Sequence, residues 1–146
     1  FVLLHCGFPW VDDLFSIVDG YPNLYPDLTW LPILSYTASK RVMHQLIEMS
    51  QIDKTAGGCD TWTVEESYGS LLAFRFSLCS VLREKIEDGY LSVNNAKDII
   101  DKILFDNAGK YTYDTRKEAE VSVNSTISIG MQDFGKLIRS GAFLCG

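Results

Sequence analysis

FVLLH at residues 1–5 and KTAGGCD at residues 54–60 are the two stretches on which the fold turns. Each is an apolar or small-residue run that stops at a group able to bind metal or move a proton. That group is His5 in the first and Asp60 in the second. Helix-like spacing follows both, and in barrels of parallel strands the catalytic groups stand where strands end and loops begin.

Outward from these two ends, the chain alternates. Residues 1–5 read as a buried strand closed by Gly7 and Pro9, and residues 11–19 then show helical spacing at Val11, Leu14, Phe15 and Val18, with Gly20 as the stop. Leu24 to Thr29 read as a second short strand, although Pro26 argues against a central position in a sheet. Ser35 is placed to cap a helix reaching about Ser50, with Val42, Met43, Leu46 and Ile47 on one face. Lys54 to Gly58 form a third strand, glycine-rich and weak by propensity. Thr63-Val64-Glu65-Glu66 makes a capping box ahead of a long helix ending near Gly89, striped by Leu71, Phe74, Leu78, Val81, Leu82 and Ile86. Ser92 opens a last helix carrying Ala96, Ile99, Ile100, Ile103, Leu104, Ala108 and Tyr111 at three- and four-residue steps.

Strand–helix three times over, then an extra helix, implies parallel strands with right-handed crossovers. A full eight-stranded barrel takes about 200–250 residues, and this chain has 146. It therefore reads either as a small open sheet or as the closing part of a barrel. From about Thr115 the character changes: VSVNSTISI (121–129) alternates like a strand, and the remainder trails off with glycines and no motif.

Composition limits the function. Hydrophobic residues at 47% and charged residues at 22% are those of a globular domain. A net charge of −6 argues against nucleic acid, since phosphate binding needs a basic face. No apolar run approaches the ~20 residues that span a bilayer, and FVLLHCGFPW makes a poor signal peptide. Cys6, Cys59, Cys79 and Cys145 form no CxxC and no disulfide framework, which fits a reducing, cytoplasmic setting. The glycosylation pattern at Asn124-Ser125-Thr126 is read as chance, because the opening residues make no convincing secretory signal.

HCGFPW after an apolar strand, then YPNLYPDLTW, then KTAGGCDTWTVEESYG, then GYLSVNNAKDIIDKILFDNAGKYTY follow one family's order. Over about residues 1–113 the chain resembles the amidohydrolase-related metal-dependent hydrolases, in particular the fluG-type branch also found fused to glutamine-synthetase-like domains. The tail from Thr115 does not look like the start of such a fused domain. The resemblance implies the C-terminal portion of a TIM-like (β/α)8 barrel at residues 1–114, about three βα units plus an extra helix, followed by a tail of unknown role at 115–146. It implies that His5 ends strand six, Asp27 lies at the end of strand seven and Asp60 ends strand eight, with Lys54, Gly58 and Asp60 meeting a KxxxGxD pattern. Asp60 would then be metal ligand and general base, and His5 would polarise the substrate carbonyl or complete the metal shell. The cofactor implied is a divalent metal, zinc by preference, held in the full-length parent. The family's first-strand HxH pair and fifth-strand His have no counterpart, so two ligands at most are expected here and no tight metal binding by this chain alone.

If His5 points into a barrel, so does Leu3, while Leu4 and Cys6 face outer helices; likewise Gly58 and Asp60 face in and Cys59 out. Cys6 and Cys59 are thus expected to be packing residues. His44 sits mid-helix and reads as solvated. Glu66 and Glu65 suit the capping box and the helix dipole rather than chemistry. Trp10, Trp30 and Trp62 each follow a strand end, where they would line a substrate pocket or shield the core. Simpler readings stand beside these: a lone His at a strand end is often a hydrogen-bonded core residue, and a lone Asp before a helix often closes a turn.

The expected activity is hydrolysis of a C–N bond, amide or related, in a small molecule. The alternatives are a decarboxylase with the same His and Asp layout, or a non-catalytic truncated half-barrel that associates with a partner. That partner would be a second copy or the missing N-terminal half, because open barrel edges favour association.

Overall fold

In the computed structural model, which describes residues 1–113, three extended segments lie side by side and run the same way. β1 (Val2–Leu3) pairs in parallel with β2 (Tyr25–Pro26), Val2 against Tyr25 and Leu3 against Pro26. Ala56 adds a single parallel bridge on the far side, opposite Asp27. The architecture is mixed α/β, rich in helix around a small parallel sheet.

The strands are shorter than the sequence suggests. The first ends at Leu3, because Leu4–Gly7 curls into a tight turn with His5 at φ 58 and Cys6 at φ 50. Leu4, expected to face the helices, is exposed for that reason. Cys6 is fully buried in the core, as a packing residue should be. Its burial, with the charge of Asp27 beside it, pushes the thiol pKa well up.

Pro26 does occupy the central strand, against the sequence reading. Ala56 O accepts from the Leu28 N–H (2.8 Å), and the Ala56 N–H donates to Pro26 O (3.3 Å). By this register the absent Pro26 N–H would have faced Lys54, which closes a 3-10 turn at Ile52–Lys54 instead of extending a strand. No ladder bond is forfeited, so the usual penalty for a central proline does not arise.

Between the strands lie α1 (Val11–Val18), then α2 (Leu31–Leu34) and α3 (Tyr36–Glu48); α4 (Val64–Glu87) follows the third strand position. The caps are the expected ones. Ser35 Oγ accepts from the Ala38 N–H and Thr63 Oγ1 from the Glu66 N–H, while Gly89 takes the left-handed conformation (φ +72) just past α4. The buried faces of α1, α3 and α4 follow the expected residues, with Leu71 and Ile86 only half-buried. The one-turn helix α2, started by Pro32 in its first turn, was not expected.

Ser92 caps α5 (Val93–Asp101), but the single long helix expected there is interrupted. A π-helical stretch at Lys102–Asp106 precedes α6 (Asn107–Tyr113). Wider turns re-aim the residues that follow them. Here Asn107 is fully buried and its Nδ2 donates to Ile52 O (2.6 Å) and Thr55 O (2.7 Å), tying the last helices to the third strand.

The chain divides into compact units at residues 1–109 and 110–146, and the core described above belongs to the first. The strand-like run at 121–129, the Asn124 pattern and Cys145 lie outside the described residues. Among the described residues no helix is long and apolar enough to cross a membrane.

Candidate functional site at the strand ends

Four non-glycine residues with left-handed backbone follow the C-terminal ends of the three parallel segments: His5 (φ 58) and Cys6 (φ 50) after the first, Trp30 (φ 63) after the second and Asp60 (φ 51) after the third. Such conformations cost energy in residues with a Cβ and cluster where function demands them. The sequence pointed at His5 and Asp60 but could not show that both are turned this way.

Thr29 organises this edge. Its N–H donates to Asp27 Oδ1 (2.6 Å), so the carboxylate of Asp27 closes a local turn. Its carbonyl accepts from the Leu31 N–H (2.7 Å) and from His5 Nδ1 (2.8 Å). A carbonyl can only accept, so the proton on the His5 ring is at Nδ1, and Nε2 carries the lone pair in the neutral ring. The Asp27 carbonyl accepts from the Cys6 N–H (2.8 Å), which fixes the turn bearing His5. A Cβ on Gly58 would meet Thr29 Oγ1 at 2.6 Å, which accounts for glycine there.

Trp30, Asp60, Thr61 and Trp62 line a cavity of about 330 Å³. His5 meets it indirectly: its ring stands edge-on to Trp30 with centroids 5.1 Å apart, and His5 is not itself among the lining residues. His5 and Asp60 thus do not share a cavity wall; His5 touches only the Trp30 ring of the wall to which Asp60 belongs. Asp60 is exposed and has no hydrogen bond or ion pair to a described residue. The expectation for the tryptophans divides. Trp30 and Trp62 belong to the cavity wall, and Trp62, 97% exposed, shields no core. Trp10 is 71% exposed and lines no part of this cavity.

The base of α4 holds the other wall. Glu66 Oε2 accepts from the Trp62 N–H (3.0 Å), so this carboxylate positions the tryptophan while Thr63 caps the helix. The Ser67 hydroxyl donates to Thr63 O (2.9 Å), which leaves its oxygen to accept from Thr61 Oγ1 (2.5 Å). Cys59 Sγ lies 3.5 Å from Ser67 O, consistent with a structural thiol. Thr61 and Ser67 carried no sequence signal, because their contact depends on the turn between Asp60 and Thr63.

His44, expected to be solvated, is instead half-buried and donates from Nε2 to Glu84 Oε2 (3.0 Å). Lys40 pairs with the other oxygen of the same carboxylate. These groups lie between α3 and α4 and belong to that helix interface.

The donor chemistry at the strand ends fits a divalent metal in part. A metal-bound imidazole normally donates its second nitrogen to a carbonyl or carboxylate, and His5 Nδ1 makes such a bond to Thr29 O. Asp60 offers an unshared carboxylate. Among the described residues, however, no three His, Cys, Asp or Glu side chains come together as a metal shell. No family model matches the chain, and no curated protein and no solved structure matches it.

Proposed function

We propose that this chain is the C-terminal portion of a TIM-like barrel of the amidohydrolase kind, acting in the cytoplasm to hydrolyse a C–N bond of a small molecule. The observation that carries the reading is the set of three parallel strand ends turning, through left-handed residues, into His5, Trp30 and Asp60. A cavity of about 330 Å³ walled by two indoles suits a small organic substrate rather than a polymer.

In this reading Asp60 accepts the proton of the attacking water. His5, held by Thr29 O through Nδ1, keeps Nε2 available to the substrate carbonyl or a metal. Trp30 and Trp62 bind the apolar part of the substrate and reduce its exposure to water. A divalent ion, when bound, would supply a water with its pKa lowered to about 7. With only two donors here, further ligands must come from outside the described residues.

The test is amide hydrolysis in the presence of zinc by this chain joined to the remainder of its barrel. Asp60→Asn is expected to remove most turnover, roughly 10²-fold or more as for a lost general base, with an unchanged circular dichroism spectrum. Unchanged turnover would sink the assignment. Separately, tight stoichiometric zinc on this chain alone would contradict the ligand count.

A further inference from the structure

α4 carries an apolar ladder on the face turned away from the core. Val64, Tyr68, Leu72 and Phe76 recur at every fourth residue and are 82%, 61%, 42% and 65% exposed. Opposite them on the helix, Ser70, Phe74, Ser77, Leu78 and Val81 are buried. The ladder continues sideways: the Phe76 ring lies 5.5 Å from that of Tyr36, and Ile33 and Leu34 of α2 are also exposed. Soluble monomers seldom leave so continuous a patch in water, and large ones mark interaction sites.

We propose that this ladder is the contact between two copies of this chain, packed α4 against α4 in antiparallel fashion. The inference is independent of the hydrolase reading. Three features point to a second copy rather than to an unrelated partner. First, residues spaced by four form one ridge, and two such ridges interdigitate in the commonest class of helix packing. Second, the ladder is symmetric about its middle. A two-fold axis beside residue 70 sets Val64 against Phe76 of the other copy and Tyr68 against Leu72, so all four rungs are used and the contact is isologous. Third, Gly69 lies in the interior of α4, where glycine costs about 1 kcal/mol relative to alanine. It is exposed, and a Cβ there would meet no described residue within 4 Å. Among the described residues nothing accounts for that glycine, whereas a close approach of two helices does.

The area suffices. Six exposed aromatic and aliphatic side chains offer on the order of 600 Å² per copy, near the ~800 Å² that each partner buries in a standard interface.

The experiment is sedimentation velocity on the full chain over a concentration series from about 1 µM to 500 µM, alongside two variants. The wild type is expected to pass from monomer to dimer within the series. Phe76→Glu and, independently, Val64→Glu each put a carboxylate into the apolar seam twice, once per copy, and are each expected to weaken the association roughly tenfold or more. Both residues are exposed, so circular dichroism should be unchanged; agreement of the two variants guards against a folding artefact in either. A Tyr68→Cys/Leu72→Cys double variant should be trapped as a disulfide dimer under mild oxidation, and neither single variant should match it. A chain that stays monomeric throughout overturns the proposal, because then another segment or another protein covers the ladder. A dimer indifferent to both glutamates overturns the surface, and a dimer that the cysteine pair fails to trap overturns the antiparallel register.

Discussion

A Cβ on Gly57 would stand 2.4 Å from Cζ of Phe74. The glycine that makes the third strand so weak by propensity is what lets α4 lie down on it. Phe74 is buried, so its ring has no free space into which to retreat. Gly57→Ala is therefore expected to destabilise by about 1–3 kcal/mol, the usual range for overpacking, read as a lower urea midpoint at constant slope. Phe74→Leu in the same chain should recover part of that loss. Simple additivity of the two changes would mean the contact is not made.

Asn107 is the second long-range tie. Ile52 O also accepts from the Thr55 N–H (3.2 Å), but Asn107 is the donor described for Thr55 O. Asn107→Ala should cost about 1–3 kcal/mol, the penalty for a buried acceptor left without its donor. Asn107→Asp should cost more at pH 7 than at pH 4, since a carboxylate cannot donate and only its protonated form restores one bond. Equal losses at the two pH values would exclude this bonding role.

What the sequence made legible follows the distance over which each signal acts. Ser35, Thr63 and Ser92 cap helices through residues three positions on, so each was readable from its own neighbourhood. The parallel order of strands followed from alternation, yet their lengths did not. An apolar run such as FVLLH carries no mark that His5 turns left-handed, because that turn is held by Cys6 bonding to Asp27, far along the chain. His44 looked solvated for the same reason: Glu84 lies 40 residues away. Nor could the sequence show that the indole of Trp30 meets the His5 ring and shares a cavity with Asp60.

Glu84 links α3 to α4, and its charge makes that link pH-dependent. Hydrogen bonds from Lys40 and His44, with a lesser one from Ser80, hold its carboxyl pKa down to about 2. A carboxyl depressed in the folded state contributes stability that is fully present above its ordinary value near 4.5 and is lost as pH falls toward 2. The side chain is 40% exposed, so solvent screening limits the contribution to about 1 kcal/mol. The stability difference between wild type and Glu84→Gln should therefore shrink between pH 4.5 and pH 2 and should also shrink in high salt. A difference independent of pH would assign the effect of Glu84 to packing instead.

Asp60 allows the backbone and the side chain to be separated. It is exposed, and an exposed side chain ordinarily tolerates replacement within about 0.5 kcal/mol. Its left-handed backbone (φ 51) is one that Asp and Asn accept far more readily than other residues with a Cβ. Asp60→Asn should thus leave stability unchanged, whereas Asp60→Val should cost about 1–2 kcal/mol although it breaks no described contact. Asp60→Gly should be close to neutral, because relief of the backbone offsets the greater freedom of glycine in the unfolded chain. Thermal denaturation of the three variants distinguishes the cases. If valine is tolerated as well as asparagine, the turn does not hold Asp60 in this conformation, and the strained strand end on which the proposed site depends is absent.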